Sequence, residues 1–287
     1  MSRDAGQDGA AAVRRGALDA VEVLLCDADG NLFPSEEPAF VASTRVTNAL
    51  MAQYGSDRRF TPEELRLATT GLNFRSTAVV LCLDNGIGVA PELVPADRRG
   101  TEVTHEDRPT LTVEALEEWV EREKQAVIDH LRSVLRPDPE VLEPLHRLAR
   151  RYGVAAVSSS ADARIAACFE VTGLAGFFPP ERRFSAEDSL PRPTSKPDPA
   201  IYRYAGERLG IGVHQGLAVE DSLPGASSAV AAGFATVGNL QFVPPDERKA
   251  REKALREIGV VAVVKSWAQV EALLSSRPQQ PCPLVES

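Results

Sequence analysis

Val21-Glu-Val-Leu-Leu-Cys26-Asp27-Ala-Asp29-Gly30-Asn31 sets an almost unbroken apolar, β-prone run against a polar turn. That is the pattern of a strand buried on both faces that delivers two carboxylates to its end. A strand with no polar face needs cover on both sides, and the rest of the chain supplies it. Short apolar runs recur at Val154–Val157, Gly216–Val219, Ala235–Val237 and Val260–Val264, with a weaker one at Arg182–Phe184. Helical periods lie between them, over Pro139–Arg151, Ala163–Thr172, Pro199–Leu209, Pro224–Ala232 and Trp267–Leu274. Strands alternating with helices in this way predict right-handed crossovers and a doubly wound parallel α/β sheet, Rossmann-like in its layering.

The interval 34–136 breaks the alternation, because it carries helical periods and no buried strand. Val113, Leu116, Val120, Val127, Leu131 and Val134 mark one face of a long helix. Further helices are expected over Phe40–Tyr54, Pro62–Thr69 and Arg75–Asp84, and the Gly-, Pro- and charge-rich stretch Gly86–Arg108 reads as loop. The expected division is therefore an α/β core over 19–33 and 137–274, an inserted α-helical cap over 34–136, and disordered tails at 1–18 and 275–287.

Composition narrows the function classes. The chain has 287 residues, 43% of them hydrophobic and 25% charged, which is enough apolar material for a sizeable core. A formal net charge of -9 lacks the basic footprint of a nucleic-acid binder. No stretch approaches the ~18 to 20 apolar residues that cross a bilayer, and the opening residues contain no apolar signal core. The four cysteines, Cys26, Cys82, Cys168 and Cys282, stand singly with no CxxC pair, so a reducing, cytoplasmic setting is expected. No HxxxH pair, no GxSxG elbow and no complete glycine-rich dinucleotide turn occurs. The absence of a heptad seam says only that no long coiled coil forms; a monomer or small homo-oligomer is expected.

In an open parallel sheet, ligands bind at the carboxyl ends of the strands. Asp27 and Asp29 end the first strand, Ser158-Ser159-Ser160 the second, and Glu220-Asp221 the strand at Gly216–Val219, while Thr194-Ser195-Lys196-Pro197-Asp198-Pro199 lies in a loop between the last two. Each has a plainer reading on its own. Asp and Gly form turns, at least one of the three serines is expected to cap the helix that follows, acids favour a helix N-terminus, and loop lysines are usually solvated. Cys26 alternates away from Asp27 and reads as core. Together, however, several carboxylates, one lysine and a hydroxyl at one sheet edge suit Mg²⁺-dependent phosphoryl chemistry, because hard cations prefer oxygen ligands and bridge carboxylates to phosphate.

The ordered series DADGNLF, VSSS, SKPDPAIY and VEDSLPGASSAVAAG resembles the haloacid dehalogenase superfamily of phosphohydrolases, in the branch with a helical cap like β-phosphoglucomutase. The resemblance implies that Asp27 is a nucleophile forming an aspartyl-phosphate and that Asp29 is the general acid and base. It implies that Ser158, with main-chain N–H groups of the Ala28–Gly30 turn, binds the phosphoryl oxygens, that Ser159 contributes at the substrate, and that Lys196 neutralises charge on Asp27. It implies Mg²⁺ held by Asp27, the Asp29 carbonyl and Asp221, with Glu220 a ligand or an acceptor behind one. Arg75, within Thr70-Gly71-Leu72-Asn73-Phe74-Arg75, matches the cap segment that recognises substrate.

Two positions depart from the family pattern. Asn31 stands where Thr or Val is usual, a change that alters the turn without altering charge. Ala161 follows Ser160 where the mutases place a basic residue, which favours hydrolysis of a small phosphorylated metabolite. A sugar phosphomutase, or a catalytically degenerate regulatory member, are the rival readings.

Overall fold

The computed structural model describes residues 18–69, 73–98 and 109–275. The tails expected to be disordered fall outside them except at Leu18, which is buried, and Ser275, which ends a helix; Cys282, His105 and the 70–72 part of the cap segment also fall outside. The chain divides into two compact units, one formed by Ser35–Val134 and the other by the remainder.

Six strands form the sheet of the second unit: β1 (Val23–Cys26), β2 (Gly153–Ser158), β3 (Arg183–Ser185), β4 (Gly216–Glu220), β5 (Ala235–Asn239) and β6 (Ala262–Val264). All pairs are parallel, in the order β3-β2-β1-β4-β5-β6. The four residues of β1, Val23-Leu-Leu-Cys26, are all buried, as a central strand with cover on both faces requires. The chain winds outward from β1 to one side, then returns to lay β4 on the other, so the switch point falls at the carboxyl ends of β1 and β4.

Among the described residues, five α-helices of this unit lie between its strands and a sixth follows β6. Four are the expected ones with shifted ends: Pro139–Ala149, Asp162–Thr172, Ala200–Leu209 and Leu223–Ala231. Trp267–Ser275 closes the described chain, with Trp267, Val270 and Leu274 buried. Arg248–Ile258 was not expected, and its sequence explains why: Leu255 is its one buried residue, so no apolar stripe announces it.

Among its described residues, the Ser35–Val134 unit contains four α-helices, Glu36–Gln53, Pro62–Ala68, Phe74–Asp84 and Val113–Val134. Thr61 and Glu64 form a reciprocal capping box on the second. Leu50, Met51, Leu65, Cys82, Leu111 and Leu116 lie in its apolar core. On the long helix, Leu116, Trp119, Val127 and Leu131 are buried, whereas Val113 and Val134 at its ends are exposed, against the expectation that both lie on the inner face. The expected loop carries two single 3-10 turns, Pro91–Leu93 and Ala96–Arg98, and its 99–108 part is outside the described residues. Among the described residues, no helix is long and apolar enough to cross a membrane.

Candidate active site

Strand register builds the site. Cys26 pairs with Ala156 on one side and Val219 on the other, so the next level of the sheet brings Asp27, Val157 and Glu220 into one row. The Lys196 ammonium reaches all three. It donates to Asp27, to the Val157 carbonyl at 2.8 Å and to Glu220 Oε1 at 2.7 Å, which uses every proton it has. Its loop is held by Ser159, whose Oγ accepts the Lys196 N–H at 3.0 Å. Ser159, expected at the substrate, thus positions the lysine. Tyr202 also donates to Glu220 Oε1 and lies beneath the ammonium, 5.3 Å from ring centre to Nζ.

Asp27, Glu220 and Asp221 each offer a carboxylate oxygen within 4.8 Å of the other two, and all three residues are buried. Two glycines make the room. A Cβ on Gly225 would stand 1.8 Å from Glu220 Oε2, and one on Gly30, whose φ is +77°, would stand 2.5 Å from Asp221 Oδ2. Ser222 caps the helix Leu223–Ala231 through Gly225 N–H at 3.1 Å, which fixes that turn against the acids. Arg251, on the unexpected helix Arg248–Ile258, donates to the Asp221 carbonyl at 3.0 Å.

The electrostatics follow from burial. Loss of water raises the Asp27 carboxyl, opposed by Lys196, and the neighbouring Asp29 charge raises it further. Burial likewise pushes Glu220 up to about 7, again opposed by Lys196 and reinforced by Asp27. Burial works against the Lys196 charge, but the two carboxylates outweigh it and hold the ammonium above its ordinary range. Glu220 Oε2 is buried without a hydrogen-bond partner. Three crowded carboxylates, one with an orphaned oxygen, against a single ammonium fit a hard divalent cation such as Mg²⁺ by donor type and by charge.

Asp29 lies apart from that cluster. Its Oδ2 accepts from Ser160 Oγ at 2.7 Å and, at 3.5 Å, from Ser158 Oγ, while its Oδ1 accepts from Arg164 at 2.7 Å. The turn after it is tight: Gly30 N–H donates to the Phe33 carbonyl at 2.9 Å. Gly30 is therefore not one of the expected oxygen-binding N–H donors, although Ala28 N–H does face the Asp27 carboxylate. None of the three serines caps the following helix either. Ala161 is its N-cap, and Asp188, in the turn after β3, accepts the Asp162 N–H at 2.7 Å. Arg75 sits in the Ser35–Val134 unit, with its guanidinium on Glu117 through two hydrogen bonds.

Sequence reasoning missed Arg164, Ser160, Tyr202 and Arg251 as site residues. The first two had a findable signal, since residues 160 and 164 flank the start of a helix leaving a strand end. Tyr202 lay inside the SKPDPAIY stretch, one helical turn past the lysine loop.

A parallel sheet whose central strand ends in a buried acid cluster, clamped by one lysine, makes an α/β core with its polar site at the carboxyl ends of the strands. The sequence matches the haloacid dehalogenase-like hydrolases over residues 21–233, most of its length, and the chain belongs to that family. No curated protein matches it. Among solved structures, a candidate β-phosphoglucomutase from Thermotoga maritima superposes with a TM-score of 0.62 at 23% identity, covering 90% of this chain and 100% of that one. A predicted phosphoglycolate phosphatase from Haemophilus somnus 129PT gives 0.62 at 18% identity, covering 89% and 99%. CbbY from Rhodobacter sphaeroides, in complex with xylulose-(1,5)-bisphosphate, gives 0.56 at 21% identity, covering 87% and 96%.

Proposed function

We propose that this hydrolase removes the phosphoryl group from a small phosphate monoester, with Mg²⁺, through an aspartyl-phosphate on Asp27. The observation that carries the reading is the buried cluster of Asp27, Glu220 and Asp221 with Lys196 bonded to the first two. The sugar bisphosphate bound by the Rhodobacter relative makes sugar phosphates the first substrates to try.

Lys196 holds one Asp27 oxygen, which leaves the other to attack phosphorus. The bond from phosphorus to the leaving oxygen breaks, and Asp29, oriented by Ser160 and Arg164, gives that oxygen a proton. Asp29 then takes a proton from water as its oxygen attacks the aspartyl-phosphate, which releases inorganic phosphate and restores Asp27. Mg²⁺, held by Asp27, Asp221, the Asp29 carbonyl and Glu220, would supply positive charge beside the phosphoryl oxygens. Ser158 Oγ, now accepting from Ser160 N–H at 3.0 Å, lies beside Asp29 where it can donate to a phosphoryl oxygen. Arg75, whose guanidinium is held by Glu117, is the residue proposed to recognise substrate.

The purified protein should be screened against phosphorylated metabolites, with Mg²⁺ and with excess chelator. Sustained inorganic phosphate release that stops in chelator is the expected result. Isomerisation of a sugar phosphate without phosphate release would replace the hydrolase reading by the mutase one, and release unaffected by chelator would remove the metal.

A further inference from the structure

Asn31, the residue that departs from the family pattern in the first motif, has no exposed surface. Its side-chain amide spends both protons on main-chain carbonyls, Asp27 O at 2.9 Å and Val219 O at 3.0 Å. Its Oδ1 accepts from Asn239 Nδ2 at 2.9 Å, and its own carbonyl accepts the Trp267 indole N–H at 2.9 Å. The amide cannot be turned over, because Oδ1 would then face two carbonyl oxygens. Asn239 is braced in turn: its Oδ1 accepts Gln241 N–H at 3.2 Å, and Gln241 Oε1 accepts Trp267 N–H at 2.9 Å. Asn31, Asn239 and Trp267 are all fully buried, so each bond is made without competition from water.

The two carbonyls bound by Asn31 belong to the two halves of the site. One is on Asp27, and the other immediately precedes Glu220-Asp221. The ladder between β1 and β4 ends at Cys26 and Val219, closed by Asp27 N–H donating to Val219 O at 3.0 Å. Beyond it the chain turns, with Leu32 N–H donating to Ala28 O at 2.9 Å. There the Asn31 amide takes the place of the missing ladder. We infer that Asn31 is a positioning residue, a clasp that sets Asp27 against Glu220 and Asp221, with Asn239 and Trp267 holding the clasp in register. Threonine in its place has one proton for two carbonyls, and valine has none. The inference rests on the phosphatase reading for its kinetic consequence, but not for its effect on cation binding.

The test compares wild type with Asn31→Ala, Asn31→Thr, Asn239→Ala, the Asn31→Ala/Asn239→Ala pair and Leu148→Ala. Leu148 is buried near the end of the helix Pro139–Ala149, which leads into the start of β2, and serves as a control that loses stability away from the site. Hydrolysis of p-nitrophenyl phosphate gives kcat and KM, and the Mg²⁺-induced rise in Tm gives the Mg²⁺ half-saturation. Misplacement by about 1 Å costs ~10²-fold, so Asn31→Ala should lower kcat ~10- to 100-fold while KM stays within about twofold. Its Mg²⁺ half-saturation should rise at least ~3-fold, a shift of the size seen when groups orienting metal ligands are lost. Asn31→Thr should recover part of both losses, and Asn239→Ala should show a weaker form of the same split. The pair should be no worse than Asn31→Ala, since the two act through one clasp.

Leu148→Ala should lower Tm and leave kcat and half-saturation unchanged. Values of kcat and half-saturation within about twofold of wild type in Asn31→Ala, at any Tm, would overturn the inference. Should Asn31→Ala be insoluble, unchanged values in Asn239→Ala would overturn it equally. A wild type that releases no phosphate would defeat the proposed function alone, because the half-saturation series still decides whether Asn31 sets the carboxylates.

Discussion

Arg164 Nη2 lies 2.7 Å from Asp29 Oδ1, and the pair is largely withdrawn from water, with side-chain exposures of 26% and 19%. The acid proposed to serve the leaving group is therefore oriented by a cation that no motif announced. A leaving group that departs readily as an anion needs little help from an acid, whereas an alkoxide needs much. Arg164→Ala is expected to slow hydrolysis of alkyl phosphates ~10-fold while slowing p-nitrophenyl phosphate far less. Equal effects on both, measured as kcat/KM, would detach Arg164 from the proton transfer.

Asp27→Asn is expected to abolish turnover, by more than about 10³-fold, as loss of a covalent nucleophile does elsewhere. The fold should survive. Burial already works against the Asp27 charge, so a neutral isostere relieves that opposition in the metal-free protein. Circular dichroism and Tm close to wild type, together with no phosphate release, is the expected pair of results. Retained turnover would disprove the nucleophile.

Gly225→Ala places a methyl group where Glu220 Oε2 now sits, 1.8 Å away. Glu220 must move, and the expected loss is ~1 to 3 kcal/mol with weaker Mg²⁺ binding. Adding Glu220→Ala in the same chain should recover part of the stability, since the clash is then gone. Failure of that second substitution to recover any Tm would show that the strain lies elsewhere in the turn.

The Glu220 carboxyl sits at about 7 in the fold, against an ordinary value of 4.5. A raised carboxyl means that the folded protein binds more protons than the unfolded chain between those two values. Stability from this group is thus greatest at low pH, declines as pH rises from about 4.5 through 7, and is level above. In metal-free protein, the Tm of wild type minus that of Glu220→Gln should fall between pH 5 and pH 7.5. The Mg²⁺-induced gain in Tm should run the other way and grow with pH, because the ligand oxygens must be unprotonated. A difference that rises across this window would contradict the burial effect on Glu220.

Much of this was legible in order along the chain. The apolar run at β1, the runs that became β2, β4 and β5, and the polar residues at their ends are local signals, and they led to Asp27, Ser158, Lys196, Glu220 and Asp221. What escaped depends on register. Arg164 meets Asp29, and Arg251 meets the Asp221 carbonyl, only after helices and strands have been laid side by side. The Arg248–Ile258 helix escaped for a different reason, since one buried leucine makes no period. Asn31 stands out in the sequence as an oddity of the turn, but its partners Val219, Asn239 and Trp267 lie 188, 208 and 236 positions downstream, beyond any spacing rule. None of the three serines caps the helix, although at least one is expected to, because a better acceptor, Asp188, arrives from the turn after β3.

The order β3-β2-β1-β4-β5-β6 has a further consequence for how the molecule is made. β1 is the first of these six strands to leave the ribosome, yet its two neighbours begin at Gly153 and Gly216. A growing chain must therefore carry Val23-Leu-Leu-Cys26 without either flanking partner while the helical insert is synthesised and folds on its own contacts. Until residue 219 has emerged, the greasiest strand of the protein is open to any passing edge, and chaperone protection during synthesis matters most over that interval.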